Sequence, residues 1–149
     1  MNTIDNVSMK DATFYINEKK RTVTCVIDHT HSRFVDFVEE MIPYSSPSWL
    51  FNYRDQKKLE MPNKFVGIAT CGENDEFSEE IGKKIAFSRA KDNLNRSFFK
   101  RADYFIKYID SYLDTAIDKI NRYGECLEKS TNHRHEAIEK LIGQEETND

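Results

Sequence analysis

The sequence predicts an α+β fold, in which a small antiparallel β-sheet packs on helices and the chain ends in a long helix or a helical hairpin. Three observations carry this prediction. Two runs of β-branched and aromatic residues flank a polar turn near the N-terminus, a third run at Phe65–Cys71 is almost wholly apolar, and a heptad spacing of apolar residues follows Phe98.

Length and composition indicate one domain with a real core. The chain has 149 residues, of which 38% are hydrophobic and 32% are charged, as in a soluble globular protein rather than a disordered one. Within this single domain we expect a sheet-and-helix core over residues 1–97. A helical region over residues 98–143 is expected to mediate oligomerisation.

Net charge and hydropathy limit the classes of partner that the protein is expected to bind. The net charge of −4 argues against a long nucleic acid, because phosphate backbones bind basic surfaces, but a few local cations can still hold a small nucleotide. No stretch reaches the length of a membrane span, and the N-terminus MNTIDNVSMK lacks the apolar core of a signal peptide. We therefore expect a cytosolic protein without a membrane partner.

The first elements are strands. Ala12–Ile27 predicts a β-hairpin around a polar turn at Asn17–Arg21. Phe65–Cys71 predicts a third strand that is covered on both faces or lies in the centre of the sheet. Gly67 in this strand would permit close approach of a neighbouring backbone.

Between them the pattern predicts a short helix and a loop. Ser32 is a candidate N-cap for a helix through Met41, which Pro43 ends, although a strand through Phe34–Val38 is an alternative. Tyr44–Asn63 is predicted to be a long loop with at most one helical turn near its tryptophan.

A second helix is predicted from Ser78, a good N-cap. Glu79 and Glu80 favour the positive end of the helix dipole, and each has a lysine four residues later. Its polar continuation, Lys91–Ser97, either breaks the helix or lines a solvated site.

The C-terminal region has a heptad pattern of about four repeats. The seven-residue spacing runs through Ile106, Leu113, Ile120 and Leu127, with a complementary set at Ile109, Ala116, Tyr123 and Ala137. The apolar stripe of such a helix needs a partner, and a second copy of the chain is the simplest one. A break at Gly124 or Ser130–Asn132 would instead give an antiparallel hairpin, and Gln144–Asp149 is expected to fray.

Catalytic and metal-binding patterns are weak. His29 and His31 follow a strand with Asp28 beside them, but surface histidines are the favoured interpretation. In the acidic run from Glu73 to Glu80, Asp75 is the best acid–base candidate, yet a structural role at a helix start is favoured. The chain has no G-x-S-x-G, P-loop or G-x-G-x-x-G motif. We therefore predict no enzyme activity, no cofactor and no metal site.

The three cysteines are an odd number without a paired short spacing. Cys25, Cys71 and Cys126 are therefore expected to be buried thiols rather than a disulfide framework or a zinc site.

The strongest functional signal is a helical stretch that combines an aromatic residue, amides and cations. It comprises Phe87, Arg89, Lys91, Asn93, Asn95, Arg96, Lys100 and Arg101. An aromatic face stacks a base, amides read base edges or ribose hydroxyls, and arginine binds phosphate oxygens. Arg54 and Lys57 from the loop could close such a site. The alternative is a solvated helix face with Phe87 packed on the sheet.

The run FVGIATCGENDEFSEEIGKKIAFSRA (Phe65–Ala90) resembles a group of short phage-encoded proteins. Their pattern is an apolar strand ending in cysteine, an acidic D-x-F turn and then G-K-x-I-A-x-x-R-A. The matching positions are Cys71, Asp75, Phe77, Gly82, Lys83, Ile85, Ala86, Arg89 and Ala90.

The overall plan is similar to the first family of Thoeris anti-defence proteins, which sequester cyclic ADP-ribose-type signals, and some of which hold cyclic oligonucleotides, without degrading them. The resemblance implies long helices that pair between subunits. It also implies that an aromatic residue and an asparagine hold the adenine while arginines hold the pyrophosphate.

We therefore expect a sponge for a cyclic nucleotide immune signal that forms a homodimer or higher homo-oligomer through its C-terminal helices. The predicted ligand-binding residues are Phe87, Arg89, Asn93, Asn95, Arg54 and Arg101. The alternative is a protein-binding inhibitor of a bacterial defence enzyme, which the acidic surface and the unpaired helix would suit.

Overall fold

The structure is a computed structural model that describes residues 7–41 and 53–145. A short 3-10 helix (Met9–Asp11) precedes β1 (Ala12–Asn17), β2 (Thr22–Ile27), α1 (Arg33–Met41), α2 (Tyr53–Leu59), β3 (Phe65–Thr70) and α3 (Glu79–Glu145). The strands and helices confirm the predicted α+β class. The chain divides into two compact units, residues 1–106 and residues 107–149.

The three strands form one antiparallel sheet in the order β1-β2-β3. Phe14 of β1 lies opposite Cys25 of β2, which in turn lies opposite Gly67 of β3. The predicted hairpin is confirmed. Its turn closes where the Arg21 N–H donates to the Glu18 carbonyl at 3.1 Å.

The prediction that the third strand is central or covered on both faces is wrong. β3 is an edge strand whose residues alternate between buried and exposed, and Val66 and Ile68 are 43% and 50% exposed. The apolar run is misleading because its inward positions include the small residues Gly67 and Ala69, while larger residues face outward.

Small residues bring α3 into direct contact with the sheet. A Cβ on Gly67 would overlap the main chain of Ala86 and Ala90, and a Cβ on Gly82 would lie 2.6 Å from a methyl carbon of Val23. The helix backbone therefore packs on β2 and β3 without intervening side chains, as predicted for Gly67.

The predicted helix through Met41 is confirmed, and the alternative strand is wrong. Phe34 and Val38 are its buried residues. The ring of Phe34 lies edge-on to that of Phe98 at 4.9 Å, and Phe37 lies 5.2 Å from the same ring. This aromatic cluster joins α1 to α3.

The predicted loop is wrong over its second half, where α2 forms. Leu59 is fully buried, and the carboxylate of Asp55 accepts hydrogen bonds from the Tyr104 hydroxyl at 2.6 Å and the Lys58 ammonium at 3.2 Å. These contacts stabilise α2, which could not be predicted from its short polar sequence. Residues 42–52, with Pro43 and Trp49, lie outside the described residues.

The long C-terminal helix is confirmed, and the alternative of a helical hairpin is wrong. Ser78 caps α3 through a 3.4 Å hydrogen bond from the Ile81 N–H, and the lysines at 83 and 84 pair with the first-turn glutamates at 3.2 Å and 2.7 Å. Neither Lys91–Ser97, Gly124 nor Ser130–Asn132 interrupts it. In the first of these stretches Leu94 is fully buried, and in the last the Thr131 hydroxyl bonds back to a helix carbonyl at 2.9 Å.

The predicted fraying from Gln144 is wrong for its first two residues, because the helix continues to Glu145. Within residues 7–41 and 53–145, no helix combines the length and apolar character needed to cross a bilayer.

Candidate functional site

A groove of about 370 Å³ runs beside the outer edge of β3. Seven residues of β3 and α3 line it, namely Val66, Gly67, Ile68, Arg89, Asp92, Asn93 and Arg96. Its volume falls within the roughly 300–1,000 Å³ that is typical of small-molecule sites.

Helical spacing brings the polar side chains of the groove together. Arg89, Asn93 and Arg96 are separated by four and three residues, so they share one face of α3. The close contact of α3 with Gly67 places this face along the edge of β3.

The register of the sheet shows which main-chain groups face the groove. The Cys71 N–H donates to the Arg21 carbonyl at 2.9 Å, so odd-numbered residues of β3 bond to β2. Val66 and Ile68 therefore turn their main-chain groups outward. Asn93 donates to the Val66 carbonyl at 3.0 Å, and the Arg89 guanidinium donates to the Ile68 carbonyl.

The groove consequently presents hydrogen-bond donors and positive charge. Each guanidinium has five N–H donors, so Arg89 retains donors after bonding one carbonyl. Arg96 makes no hydrogen bond or ion pair to the residues that the structure describes. Asp92 is the one acidic residue among the seven that line the groove. This arrangement suits an anionic ligand with planar polar groups.

The structure brings together two of the six predicted ligand-binding residues, Arg89 and Asn93. Arg96, which the sequence placed in the same cationic stretch, joins them. Phe87 is half-buried and lies two residues before Arg89, roughly 200° around the helix. It shares a face with the buried Leu94 rather than with the groove.

Arg101 has structural partners. Its Nε donates to the Glu60 carbonyl at 2.8 Å and its Nη1 donates to the Ser97 carbonyl at 2.8 Å. Burial lowers the pKa of this guanidinium. Arg101 therefore ties α3 to the segment between α2 and β3.

Arg54 and Asn95 also lie outside the groove. Arg54 is exposed in the first turn of α2. The side-chain oxygen of Asn95 is buried, and no donor from the described part of the chain reaches it. Sequence reasoning missed Val66, Ile68 and Asp92 as lining residues, and the one available signal was the regular spacing of Arg89, Asn93 and Arg96.

A second cavity, of about 290 Å³, lies where β2 and β3 meet the start of α3. Its walls include Val23, Ile81 and Ile85, and Arg21 stands at its polar side. The Arg21 guanidinium donates to the carbonyls of Glu73, at 2.9 Å, and Asp75. Arg21 therefore braces the turn that precedes α3, and its own backbone adopts a positive φ of 51° in the turn between β1 and β2.

The acidic run does not form a cation site with other side chains in the described ranges, where no group of three or more histidine, cysteine or acidic residues is placed to hold a metal. His29 is exposed, while the Nδ1 of His31 lies 2.9 Å from the Met61 carbonyl oxygen. The prediction of buried thiols is confirmed for Cys25 and wrong for Cys126, which is exposed on α3, while Cys71 is half-buried.

No protein-family model matches the chain, and no significant similarity to a curated protein or a solved structure was found. The groove beside β3 is therefore interpreted from its own chemistry.

Proposed function

We propose that this chain binds and sequesters a cyclic nucleotide signal of the cyclic ADP-ribose type without degrading it, as a phage anti-defence protein. The observation that carries the proposal is the groove in which Arg89, Asn93 and Arg96 line the edge of β3. The resemblance of Phe65–Ala90 to short phage-encoded proteins supports it, because this segment contains the strand and the helix start that build the groove.

The chemistry of the groove fits such a ligand. A pyrophosphate or phosphodiester offers several charged oxygens, which two guanidinium groups can bind with charge-assisted hydrogen bonds. After its hydrogen bond to Val66, the Asn93 amide keeps one N–H donor and its oxygen acceptor, which complement an adenine edge. The overall charge of −4 does not oppose local binding, because exposed charges are screened over roughly 10 Å at ordinary salt.

Isothermal titration calorimetry of the full chain with cyclic ADP-ribose isomers and cyclic dinucleotides tests the proposal. We expect heat of binding with at least one of them, and recovery of that ligand unchanged after the complex is heated. Arg96→Ala should weaken binding at least tenfold, because Arg96 lines the groove and makes no hydrogen bond or ion pair to another residue in the described ranges. Arg122→Ala, the same charge change at an exposed position of the other unit, is the matched control. The absence of binding heat with every ligand would contradict the proposal. Recovery of a hydrolysed ligand would indicate an enzyme instead.

We further propose that a second copy of the chain pairs with the C-terminal unit. Its heptad residues Leu113, Ile120 and Leu127 are 51%, 69% and 66% exposed, an apolar stripe typical of an unpaired coiled-coil helix. Sedimentation equilibrium of the purified chain should show a dimer or higher oligomer, and Leu127→Glu should weaken it.

The second candidate, an inhibitor that binds a bacterial defence enzyme, rests on the same stripe. A chain that sediments as a monomer and binds none of the nucleotides would favour it over the sponge.

A further inference from the structure

The outer edge of β1 carries unused hydrogen-bonding capacity. Because Val23, Cys25 and Ile27 bond to β3, the alternate residues of β2 bond to β1. The residues of β1 opposite these three are Ile16, Phe14 and Ala12. Their main-chain groups therefore point outward, away from β2. Among the described residues, no hydrogen bond reaches the outward N–H and C=O groups of Phe14 and Ile16.

The two edges of the sheet differ in their protection. Side chains of α3 cap two outward carbonyls of β3, because Asn93 donates to that of Val66 and Arg89 donates to that of Ile68. β1 has the sequence ATFYIN, with no charge and no proline, and its pairing with β2 is continuous over all six residues. An edge strand of this kind is a template for another strand.

Apolar side chains flank this edge on both faces of the sheet. Tyr15 is 60% exposed on the outer face, and Ile16 is 38% exposed on the inner face. On the inner face, Ile16 pairs with Val23, and Gly82 of α3 packs on Val23. Ile81, which precedes Gly82 in α3, is 59% exposed, so the apolar surface extends from β1 toward α3.

We propose that β1 pairs edge to edge with β1 of a second copy of this chain, in antiparallel orientation, to form a continuous six-stranded sheet. A two-fold axis pairs the same edge with itself, so each copy supplies the groups that the other lacks. This interface requires no nucleotide and is independent of the helical pairing proposed above.

Charge at the strand ends favours the antiparallel arrangement. Asp11 precedes β1, and the Ser8 N–H and hydroxyl donate to its carboxylate and lower its pKa, so it stays ionised. Lys19 and Lys20 follow the strand. Antiparallel pairing brings Asp11 of one copy toward these lysines of the other, whereas parallel pairing would place Asp11 beside Asp11.

Disulfide trapping tests the proposal in the full chain, with Cys126→Ser as the background because Cys126 is exposed. An antiparallel pair places Tyr15 opposite either Tyr15 or Thr13 of the other copy, according to the register. We expect Tyr15→Cys, or Thr13→Cys with Tyr15→Cys, to form a covalent dimer under mild oxidation at least tenfold faster than Ile68→Cys. Ile68 is the matched control, because it is similarly exposed on the same face but lies on the capped edge of β3.

Two further measurements complete the test. Ile16→Lys in the trapping background should abolish the fast cross-link while the chain still melts cooperatively. In the unsubstituted chain, hydrogen exchange at the Phe14 and Ile16 amides should slow as protein concentration rises, and exchange at Val66 should not. Equal cross-linking at Tyr15 and Ile68, together with exchange that is independent of concentration, would overturn the proposal, and would indicate that this edge stays open or is covered by the same chain.

Discussion

A Cβ atom on Gly67 would overlap the carbonyl oxygen of Ala86, because the backbone of α3 lies directly on β3. The same close contact fixes where the next turns of the helix lie. Arg89 and Asn93 can reach the carbonyls of β3 only because no side chain separates the helix from the strand. The core packing at Gly67 therefore also determines the geometry of the groove.

Gly67→Ala should destabilise the protein by about 3 kcal/mol or more, because the added methyl meets main-chain atoms that cannot rotate away. Urea denaturation followed by circular dichroism measures the change. Gly124→Ala is the matched control, since no atom of the described residues lies within 4 Å of its Cβ position apart from its chain neighbours and the backbone of its own helix. Alanine there should stabilise the helix by roughly 0.5–1 kcal/mol. Equal effects of the two substitutions would contradict the close packing of α3 on β3.

Arg101→Ala should lower stability by about 1–3 kcal/mol, because it leaves the Glu60 carbonyl without its charged donor. Binding of cyclic ADP-ribose should change less than twofold, since Arg101 does not line the groove. Lys100→Ala, at an exposed neighbouring position, is the control for loss of one positive charge. Thermal melts and calorimetry on both variants separate the two roles. Lost binding with unchanged melting would instead place Arg101 in the site.

The fold was predictable where local pattern and tertiary structure agree. The alternation in Thr22–Ile27 and the cap at Ser78 each specify their element without help from distant residues. α2 was not predictable, because a buried Leu59 and the distant hydroxyl of Tyr104 hold it. The exposure of β3 was also hidden, since an apolar run does not show which face a helix will cover.

The site was predictable only in part for a similar reason. Composition singles out a stretch rich in arginine and asparagine, but the helix distributes those residues around its axis. Arg89 and Asn93 fall on the edge of β3, whereas Arg101 faces the segment that carries Glu60. Only the packing of α3 on Gly67 decides which face becomes a groove.

Stability should fall between about pH 9 and pH 11 through Cys25. Burial raises the pKa of this thiol to about 11, whereas the unfolded chain ionises near its ordinary value of 9.0. Below both values the thiol is protonated in both states, so the full stability is present. As the pH rises toward 11, only the unfolded state loses its proton, and the equilibrium shifts toward unfolding.

Urea denaturation at several alkaline pH values, compared with Cys25→Ala, isolates this effect from the titration of tyrosines and lysines. The variant should be less stable at pH 7 and should lose less further stability above about pH 9. Cys126→Ala is the control, because an exposed thiol has no burial to lose. Parallel pH profiles for all three proteins would contradict the assignment to Cys25.

Phe87→Ala should reduce stability by about 1–3 kcal/mol and leave binding of cyclic ADP-ribose nearly unchanged. Phe87 is half-buried on the side of α3 that carries Leu94, so its truncation removes apolar contacts rather than a surface of the groove. Arg96→Ala should do the reverse, because Arg96 is exposed, lines the groove and has no hydrogen-bond or ion-pair partner among the described residues. If the groove is the site, Phe87→Ala lowers the melting temperature but not the calorimetric affinity. Arg96→Ala then lowers the affinity but not the melting temperature. If Phe87→Ala abolishes binding at an unchanged melting temperature, the ligand stacks on Phe87 and the binding surface lies on the opposite face of the helix.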